Sequence, residues 1–388
     1  MKKIVGTIAA VAVAAGVAFA DVGIGSWGRA IFSPVGTLDG GKTFVSNETT
    51  SWMGGKGTSR MGFSVHGESE NVGFNVDLKA DGYSVLGIND TAFFWAKPWS
   101  FLEVKIGKVQ DDTGRGNACF GLFNWLRLGG GWKGEDYTFT RFGSANGFTG
   151  GGQARGAIVK VTPVEGLWII GAFDLGWNKN TDDNAANDLN ADVVFGQKSS
   201  YGVGYDINGV GSIRAKYIGG ANSTDKDGNA VCGGQVNAAF DLTAVENLYV
   251  TIGAFVPFDL ASTSNKQVTL AAYANYKVSI VTIHAIFHYS FEKVYNDVTV
   301  AKADSMVGVG ADFDLGNGIG INADIRYSFA KKDEANSDNL AFLVGLSKGL
   351  TNGSIGVGFE GATNGAAKDF ANGTKFVWAI PVVISASF

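Results

Sequence analysis

Residues 376–388 read FVWAIPVVISASF and end the chain on a two-residue alternation. Successive side chains of a β-strand point to opposite faces, so this period predicts a strand with one apolar face. A wholly apolar face needs an apolar surface to pack against, which is a second sheet in a soluble sandwich or lipid around a membrane barrel. The apolar positions are Phe376, Trp378, Ile380, Val382, Ile384, Ala386 and Phe388.

The composition favours the membrane barrel. The chain of 388 residues is 45% hydrophobic and 12% aromatic but only 17% charged, and it contains 57 glycines. Beyond residue 20 the sequence has no run of 18 apolar residues, which excludes membrane-spanning helices. A charge-poor chain rich in glycine and aromatic residues is typical of outer-membrane β-barrels.

The N-terminus has the pattern of a bacterial signal peptide. Two lysines precede an apolar stretch over residues 4–18, and Ala18-Phe19-Ala20 fits a cleavage site. A helical membrane anchor is the alternative, and the short stretch with its cleavage pattern disfavours it. We therefore expect residues 1–20 to be removed on export. Loss of the two lysines changes the net charge from −5 to −7, which argues against a nucleic-acid partner.

The same alternation recurs along the chain, with residues 72–80, 281–291 and 319–329 as clear examples. Short turns alternate with longer polar stretches, which is typical of an up-and-down barrel with short periplasmic turns and long external loops. In a soluble β-sandwich, short and long loops are not expected to alternate regularly along the chain. The short turns are expected near Asn71, 97–100, 163–166, Asn208, Val245, Val278, 316–318 and 350–353, and the longer stretches at 34–58, 82–90, 112–152, 178–198, 221–232, 259–265, 293–303, 332–338 and 364–373.

This layout predicts an all-β fold, a closed antiparallel transmembrane barrel over residues 21–388 with about 18 strands and 16 as the alternative count. The terminal segment is expected to pair with the first strand, residues 21–32, because closure leaves no unpaired strand edge in lipid. A barrel of this size leaves an aqueous lumen, whereas one of about 8 strands is filled by side chains.

The signal peptide, the alternating strands and the terminal phenylalanine together resemble the bacterial outer-membrane porins. The resemblance implies that the end of the chain is the recognition signal for the barrel-assembly machinery, carried by Phe388, Ala386, Ile384 and Val382. Pro381 departs from the usual terminal strand because it removes a backbone donor, and we expect a bulge near it.

Charged residues at inward positions of the alternation are candidates for the channel wall. Both signs occur, so these residues could brace the wall as ion pairs, or form opposed rows that set a transverse field and sort ions. The lumen candidates are Arg29, Asp77, Lys79, Glu103, Lys105, Arg214, Lys216, Asp312, Asp324 and Arg326.

The longest stretch, residues 112–152, follows the fifth predicted strand. In porins the loop at this position folds inward and narrows the pore, and the glycine triplets 129–131 and 150–152 would permit such a turn. The alternative is an external loop that covers the mouth. The constriction candidates are Asp111, Asp112, Arg115, Glu135, Asp136 and Arg141.

The function implied by the resemblance is passive diffusion of small hydrophilic solutes and ions through an outer-membrane porin, surrounded by lipid and possible as a homotrimer. A sugar- or ion-biased channel and a surface adhesin or structural barrel are the alternatives. No catalytic motif stands out, and no cofactor or metal is expected. Cys119 and Cys232 could pair after export, but the sequence leaves this open.

Overall fold

A computed structural model of the chain describes twelve segments, which contain nearly all of the predicted strands. The proposed signal peptide and most of the 112–152 stretch lie outside the described residues. Within the described part, no helix is long and apolar enough to cross a membrane. The described residues are 21–39, 42–46, 59–81, 87–115, 142–143, 156–174, 193–220, 223–225, 227–261, 264–334, 337–364 and 375–388.

Eighteen antiparallel strands of the described residues close into one barrel, which confirms the predicted fold and the higher strand count. They are β1 Asp21–Asp39, β2 Ser59–Glu68, β3 Val72–Asp81, β4 Gly87–Trp99, β5 Leu102–Lys108, β6 Gly156–Val164, β7 Leu167–Asp174, β8 Ser199–Ile207, β9 Gly211–Ile218, β10 Gln235–Leu242, β11 Leu248–Pro257, β12 Thr269–Val278, β13 Val281–Ser290, β14 Asp304–Gly316, β15 Ile319–Ser328, β16 Asn339–Leu350, β17 Gly353–Thr363 and β18, which has two parts, Phe376–Ala379 and Val382–Ser387.

The barrel closes between its two ends. Residues 27–32 of β1 pair with residues 382–387 of β18, while residues 21–30 pair with β2. The terminal residue takes part, because Phe388 N donates to Ser26 O at 2.7 Å and Ser26 N donates to Phe388 O at 2.8 Å. The predicted pairing of the last strand with the first is therefore confirmed.

The connections alternate in length around the barrel, as the sequence predicted. Eight connections contain two to five residues and lie at one end, which we call the short-turn end. The other nine lie at the long-loop end. Asn317 and Asn352 adopt positive φ angles of 52° and 59° in two of the tight turns, a conformation that asparagine tolerates better than most residues.

Four of the stretches expected to be loops contain short strands. Lys42–Ser46 pairs with the end of β1, inside the stretch 34–58. The other three pairs are Gln110–Asp111 with Phe142–Gly143, Ser223–Thr224 with Ala230–Val231, and Lys293–Tyr295 with Val298–Ala301. These strands are too short to show an apolar alternation, so no period in the sequence predicts them.

The two faces of the wall differ in chemistry. On β13, Ile283 is 50% exposed and Phe287 is 41% exposed, whereas the alternating His284 and His288 are each 2% exposed. The apolar outward face suits lipid, and the polar face points to the barrel interior. Pro381 interrupts β18 between its two parts, in agreement with the expected irregularity, and its carbonyl accepts from Gly358 N at 2.9 Å.

Candidate functional site: the barrel interior

The alternation assigns all ten lumen candidates to the inward face of their strands. On β15, for example, Asp324 and Arg326 are 3% and 5% exposed, and Ile325 between them is 45% exposed. Their burial arises from packing along the inner wall, because neighbouring inward side chains lie over one another. Arg326 lies against the bare backbone of Gly308, where an added Cβ would come within 3.1 Å of its Cγ.

One part of the inner wall, which we call the basic arc, carries six basic side chains on β1 to β6. Among the described side chains of the same strands, three inward residues are acidic, namely Glu68, Asp77 and Glu103. Glu103 lies between two of the lysines, at 3.3 Å from Lys97 Nζ and 3.1 Å from Lys105 Nζ. The basic arc consists of Arg29, Arg60, Lys79, Lys97, Lys105 and Lys160.

A second part of the inner wall, the acidic arc, carries carboxylates on β14, β15 and β17. Arg326 is the described cation on these strands that faces inward, and its Nη2 donates to Asp324 Oδ2 at 2.7 Å. His284 on the neighbouring β13 bonds Asp312 Oδ2 through Nε2 at 2.7 Å and the Tyr273 hydroxyl through Nδ1 at 2.7 Å. The acidic arc consists of Asp304, Asp312, Asp314, Asp324 and Glu360.

Strand β9 contributes the remaining two candidates. Arg214 Nη1 lies 2.6 Å from Asp241 Oδ2 on β10. Lys216 is 6% exposed, and its ammonium lies 4.2 Å from the centroid of the Phe142 ring. This cation–π contact joins the wall to a residue of the long connection between β5 and β6.

The start of that connection is fixed to the wall by polar contacts. Asp111 is 5% exposed, its Oδ2 lies 2.5 Å from Lys105 Nζ, and its Oδ1 accepts from Thr113 N at 2.7 Å. Lys160 Nζ on β6 donates to Thr113 Oγ1 at 3.2 Å. Burial of the Asp111 carboxyl opposes its ionisation, but the Lys105 ammonium and these hydrogen bonds hold its pKa below the usual range.

The far end of the connection is held by apolar contacts. Phe142 is 2% exposed and belongs to a buried cluster with Val109, Ile158, Trp168, Ile170 and Ala172. Phe142 and Trp168 meet edge to face with ring centroids 6.3 Å apart. Both rings contact the bare backbone of β8, because Gly202 faces Phe142 and Gly204 faces Trp168.

Residues 113–115 lie along the inner wall, beside Trp168 and Arg214. A Cβ added at Gly114 would lie 2.6 Å from the Trp168 ring and 3.4 Å from Arg214 Cδ. Arg115 forms an ion pair with Asp112 at 3.4 Å. Both described ends of the connection therefore contact inward side chains of β5 to β9.

Sequence reasoning found part of this cluster and missed the rest. Asp111 contacts Lys105, and Asp112 pairs with Arg115 a few residues further on, whereas Glu135, Asp136 and Arg141 lie outside the described residues. Phe142 and Lys160 were not among the candidates. The alternating Gly202 and Gly204 were the available signal, because inward glycines on a strand mark a close approach by another group.

Two other expectations concern metals and cysteines. Among the described residues, no group of three His, Cys, Asp or Glu side chains is placed to hold a metal ion. Cys232 is exposed and forms no disulfide with any described residue, and Cys119 lies outside the described residues, so the pairing of the two stays a prediction.

No family model matches the chain, and no curated protein matches it. Solved structures do match. OccK2 (OpdF) of Pseudomonas aeruginosa, solved in complex with glucuronate, aligns with a TM-score of 0.52 at 12% identity over 95% of this chain and 98% of its own. The fold is that of the bacterial porins. An anion-selective porin from Comamonas acidovorans aligns with a TM-score of 0.49 at 13% identity, covering 95% of this chain and 99% of its own.

A triple mutant of Rhodopseudomonas blastica porin aligns with a TM-score of 0.47 at 14% identity, over 95% of this chain and 100% of its own. At such low identities the similarity describes the porin fold alone.

Proposed function

We propose that the protein is an outer-membrane porin that lets small hydrophilic solutes and ions diffuse through a water-filled lumen. The observation that carries this proposal is the contrast between the faces of an 18-stranded closed wall, apolar outside and rich in charge inside. Barrels of this size are too wide to be filled by the side chains of the wall alone. An adhesin or a purely structural barrel would have no need for charged arcs along its interior.

We further propose that the connection over residues 109–155 folds into the lumen and narrows it. The polar contacts of Asp111 and Thr113 and the apolar contacts of Phe142 support this, because each involves a side chain that points inward from the wall. The eyelet would then lie between this connection, Arg214 and the two arcs. The separation of basic from acidic side chains would create a field across the opening, which orders water and favours small polar solutes.

The location proposed for this channel is the bacterial outer membrane, reached by export with removal of residues 1–20. The apolar face of β18 and its terminal phenylalanine support recognition by the barrel-assembly machinery. Phe388 is 75% exposed and thus accessible to a partner during assembly.

We also propose that copies associate, as in a homotrimer, through the outer face of β2 to β6. At the long-loop end, an aromatic band covers the outside of β7 to β18. On β2 to β6, the described outward side chains at that level are smaller or aliphatic, such as Met61, Ala80 and Ala157. Aromatic side chains anchor a wall at the lipid headgroups, and small ones allow close packing between proteins. The aromatic band consists of Phe173, Tyr201, Tyr217, Phe258, Phe291, Phe329, Phe342, Phe376 and Trp378.

A substrate-biased channel for small organic anions is the second candidate function. The basic arc favours it, since six cations on neighbouring strands could guide carboxylates along one side of the lumen. OccK2 was solved with glucuronate, so a sugar acid is a suitable probe. Reduction of the ion current by glucuronate but not by glucose would support this candidate over unselective diffusion.

Liposome swelling tests the proposed function. Liposomes that contain the refolded protein should swell in small neutral sugars, and the rate should fall steeply as the sugar becomes larger. Liposomes with an equal amount of heat-denatured protein are the control. Swelling that is equal in both preparations would contradict a water-filled channel.

A further inference from the structure

A groove lies on the outer wall of the barrel, mainly over β7 to β11, with Val159 and Val161 of β6 and Leu270 of β12 at its margins. Its lower part, which is nearer the short-turn end, has a volume of about 580 Å³ and is lined by apolar side chains that include Val203, Tyr205 and Ile213. Its upper part has a volume of about 540 Å³ and reaches Tyr201 and Tyr217. Val203 and Ala215 line both parts, so the two form one continuous depression that we call the wall groove.

The floor of the wall groove is made by three alanines in register. Ala215 on β9 is paired with Ala238 on β10, which is paired with Ala254 on β11. Larger residues flank this row on the same strands, with Ile213 and Phe240 on the short-turn side and Tyr217 on the long-loop side. The groove therefore exists because three small residues lie side by side between bulkier neighbours.

The segment Val193–Gln197, which we call the ceiling, closes the wall groove at the long-loop end. The Tyr201 hydroxyl donates to Phe195 O at 2.9 Å, and the Tyr217 hydroxyl donates to Gly196 O at 2.7 Å. The turn Val193–Gln197 is thus fastened to the wall, and Phe195 packs edge to face on Phe173 with centroids 5.6 Å apart. Because the ceiling is held by hydrogen bonds, the groove is formed before anything enters it.

The wall groove extends from the aromatic band towards the middle of the bilayer, and because barrel strands are tilted by about 40°, its depth along the bilayer normal is about 10 Å. Tyr217 and Ile213 are four residues apart on β9, which is about 13 Å along a strand. Half of a typical hydrocarbon core is about 15 Å, so the groove covers about two thirds of one leaflet. The tyrosines belong to the aromatic band, which marks the level of the headgroups at the long-loop end.

We propose that the wall groove binds an acyl chain of a lipid in the leaflet at the long-loop end. The aromatic band continues across the top of the groove, which indicates that this sector faces lipid, whereas the described side chains of β2 to β6 contribute no member to the band. A second copy of the chain seated here would cover the tyrosines and the phenylalanines that anchor the wall. An acyl chain fits a depression that is apolar and runs from the level of the headgroups into the hydrocarbon core.

Bound lipid can be counted directly. The folded protein is incubated with vesicles of dimyristoyl phosphatidylglycerol, transferred to mild detergent and examined by native mass spectrometry. Ala215→Phe and Ala238→Phe fill the groove with a ring, while Ala323→Phe, which is outward-facing on β15, is the matched control. We expect one retained lipid per chain for the wild type and the control, and at least a tenfold lower occupancy for both groove variants.

Equal lipid occupancy in the wild type and in folded, heat-modifiable groove variants would overturn the proposal. So would a loss of oligomers in the groove variants with unchanged lipid, since the groove would then seat a second copy. If Ala215→Phe does not fold, Ala238→Leu tests the same floor with a smaller change. The ion current of the groove variants should equal that of the wild type, so the lipid site and the channel are tested separately.

Discussion

Lys105 Nζ lies 2.5 Å from Asp111 Oδ2, and this ion pair joins the fifth strand to the connection that begins beside it. Asp111 is buried, and Lys105 also contacts Glu103 at 3.1 Å. A hydrogen bond to a charged group typically contributes about 1.5–3 kcal/mol. The pair is therefore strong enough to hold the start of the connection against the inner wall.

Asp111→Asn should loosen this attachment. We expect the variant to show more current noise at neutral pH than the wild type, because the connection moves within the lumen. Asp112→Asn is the control, since the Asp112 side chain is 59% exposed. Noise that is the same in all three proteins would contradict an attachment of the connection inside the channel.

The same pair predicts a dependence on pH. The pKa of Asp111 is lowered in the folded protein, so the pair stabilises the attachment above the ordinary range of an aspartate and is lost as the pH falls through the lowered value. Current noise in the wild type should rise at pH below that ordinary range. In Asp111→Asn the noise at neutral pH should already equal the acid value, and a pH response of equal size in both proteins would refute the assignment.

Gly202→Ala should displace Phe142 from the wall, because the added methyl group overlaps the ring. Overpacking of this kind costs about 1–3 kcal/mol, which the ring can avoid by swinging into the lumen. We expect a lower single-channel conductance, restored in the double variant with Phe142→Ala. Gly171→Ala, on the outward face of β7, should leave the conductance unchanged, and a Gly202→Ala channel of normal conductance would argue against a ring at the constriction.

Two changes at the C-terminus distinguish closure of the barrel from recognition of the terminal strand by the barrel-assembly machinery. Deleting Phe388 removes both backbone hydrogen bonds to Ser26, whereas Phe388→Ala keeps them and removes only the ring. We expect the deletion to lower the yield of heat-modifiable barrel both in refolding experiments and in cells. Phe388→Ala should lower the yield in cells alone, and normal yields of both variants in cells would contradict a terminal assembly signal.

Lys293 fastens two long-loop connections together. Lys293 is 5% exposed, and its ammonium donates to Asp259 O and Ser264 O, both at 2.7 Å. Lys293→Met leaves two carbonyls without this donor, at a cost of about 1–3 kcal/mol each. Limited proteolysis should cut residues 258–268 several-fold faster than in the wild type or in Lys332→Met, whose side chain is exposed, and equal rates would show that the lysine does not hold the loops.

The barrel was predictable because the alternation of apolar and polar residues within each strand indicates which side chains face lipid and which face the lumen. The alternation in residues 319–329 and 376–388 can be read locally, and the lengths of the turns then order the strands. The attachment of the 109–155 connection was not predictable in the same way. Phe142 contacts Gly202 and Lys216, which lie 60 and 74 residues further along the chain, and no local period in the sequence predicts such a contact. The wall groove was missed for the same reason, since its three alanines lie on three strands.

Ion conductance across a planar bilayer is the most direct test of a water-filled lumen inside an apolar wall. Addition of the folded, heat-modifiable protein should produce discrete current steps that stay open at low voltage and increase in proportion to the salt concentration. Folded protein that inserts into the bilayer, detected by protection of its strands from protease, yet passes no current would contradict the account.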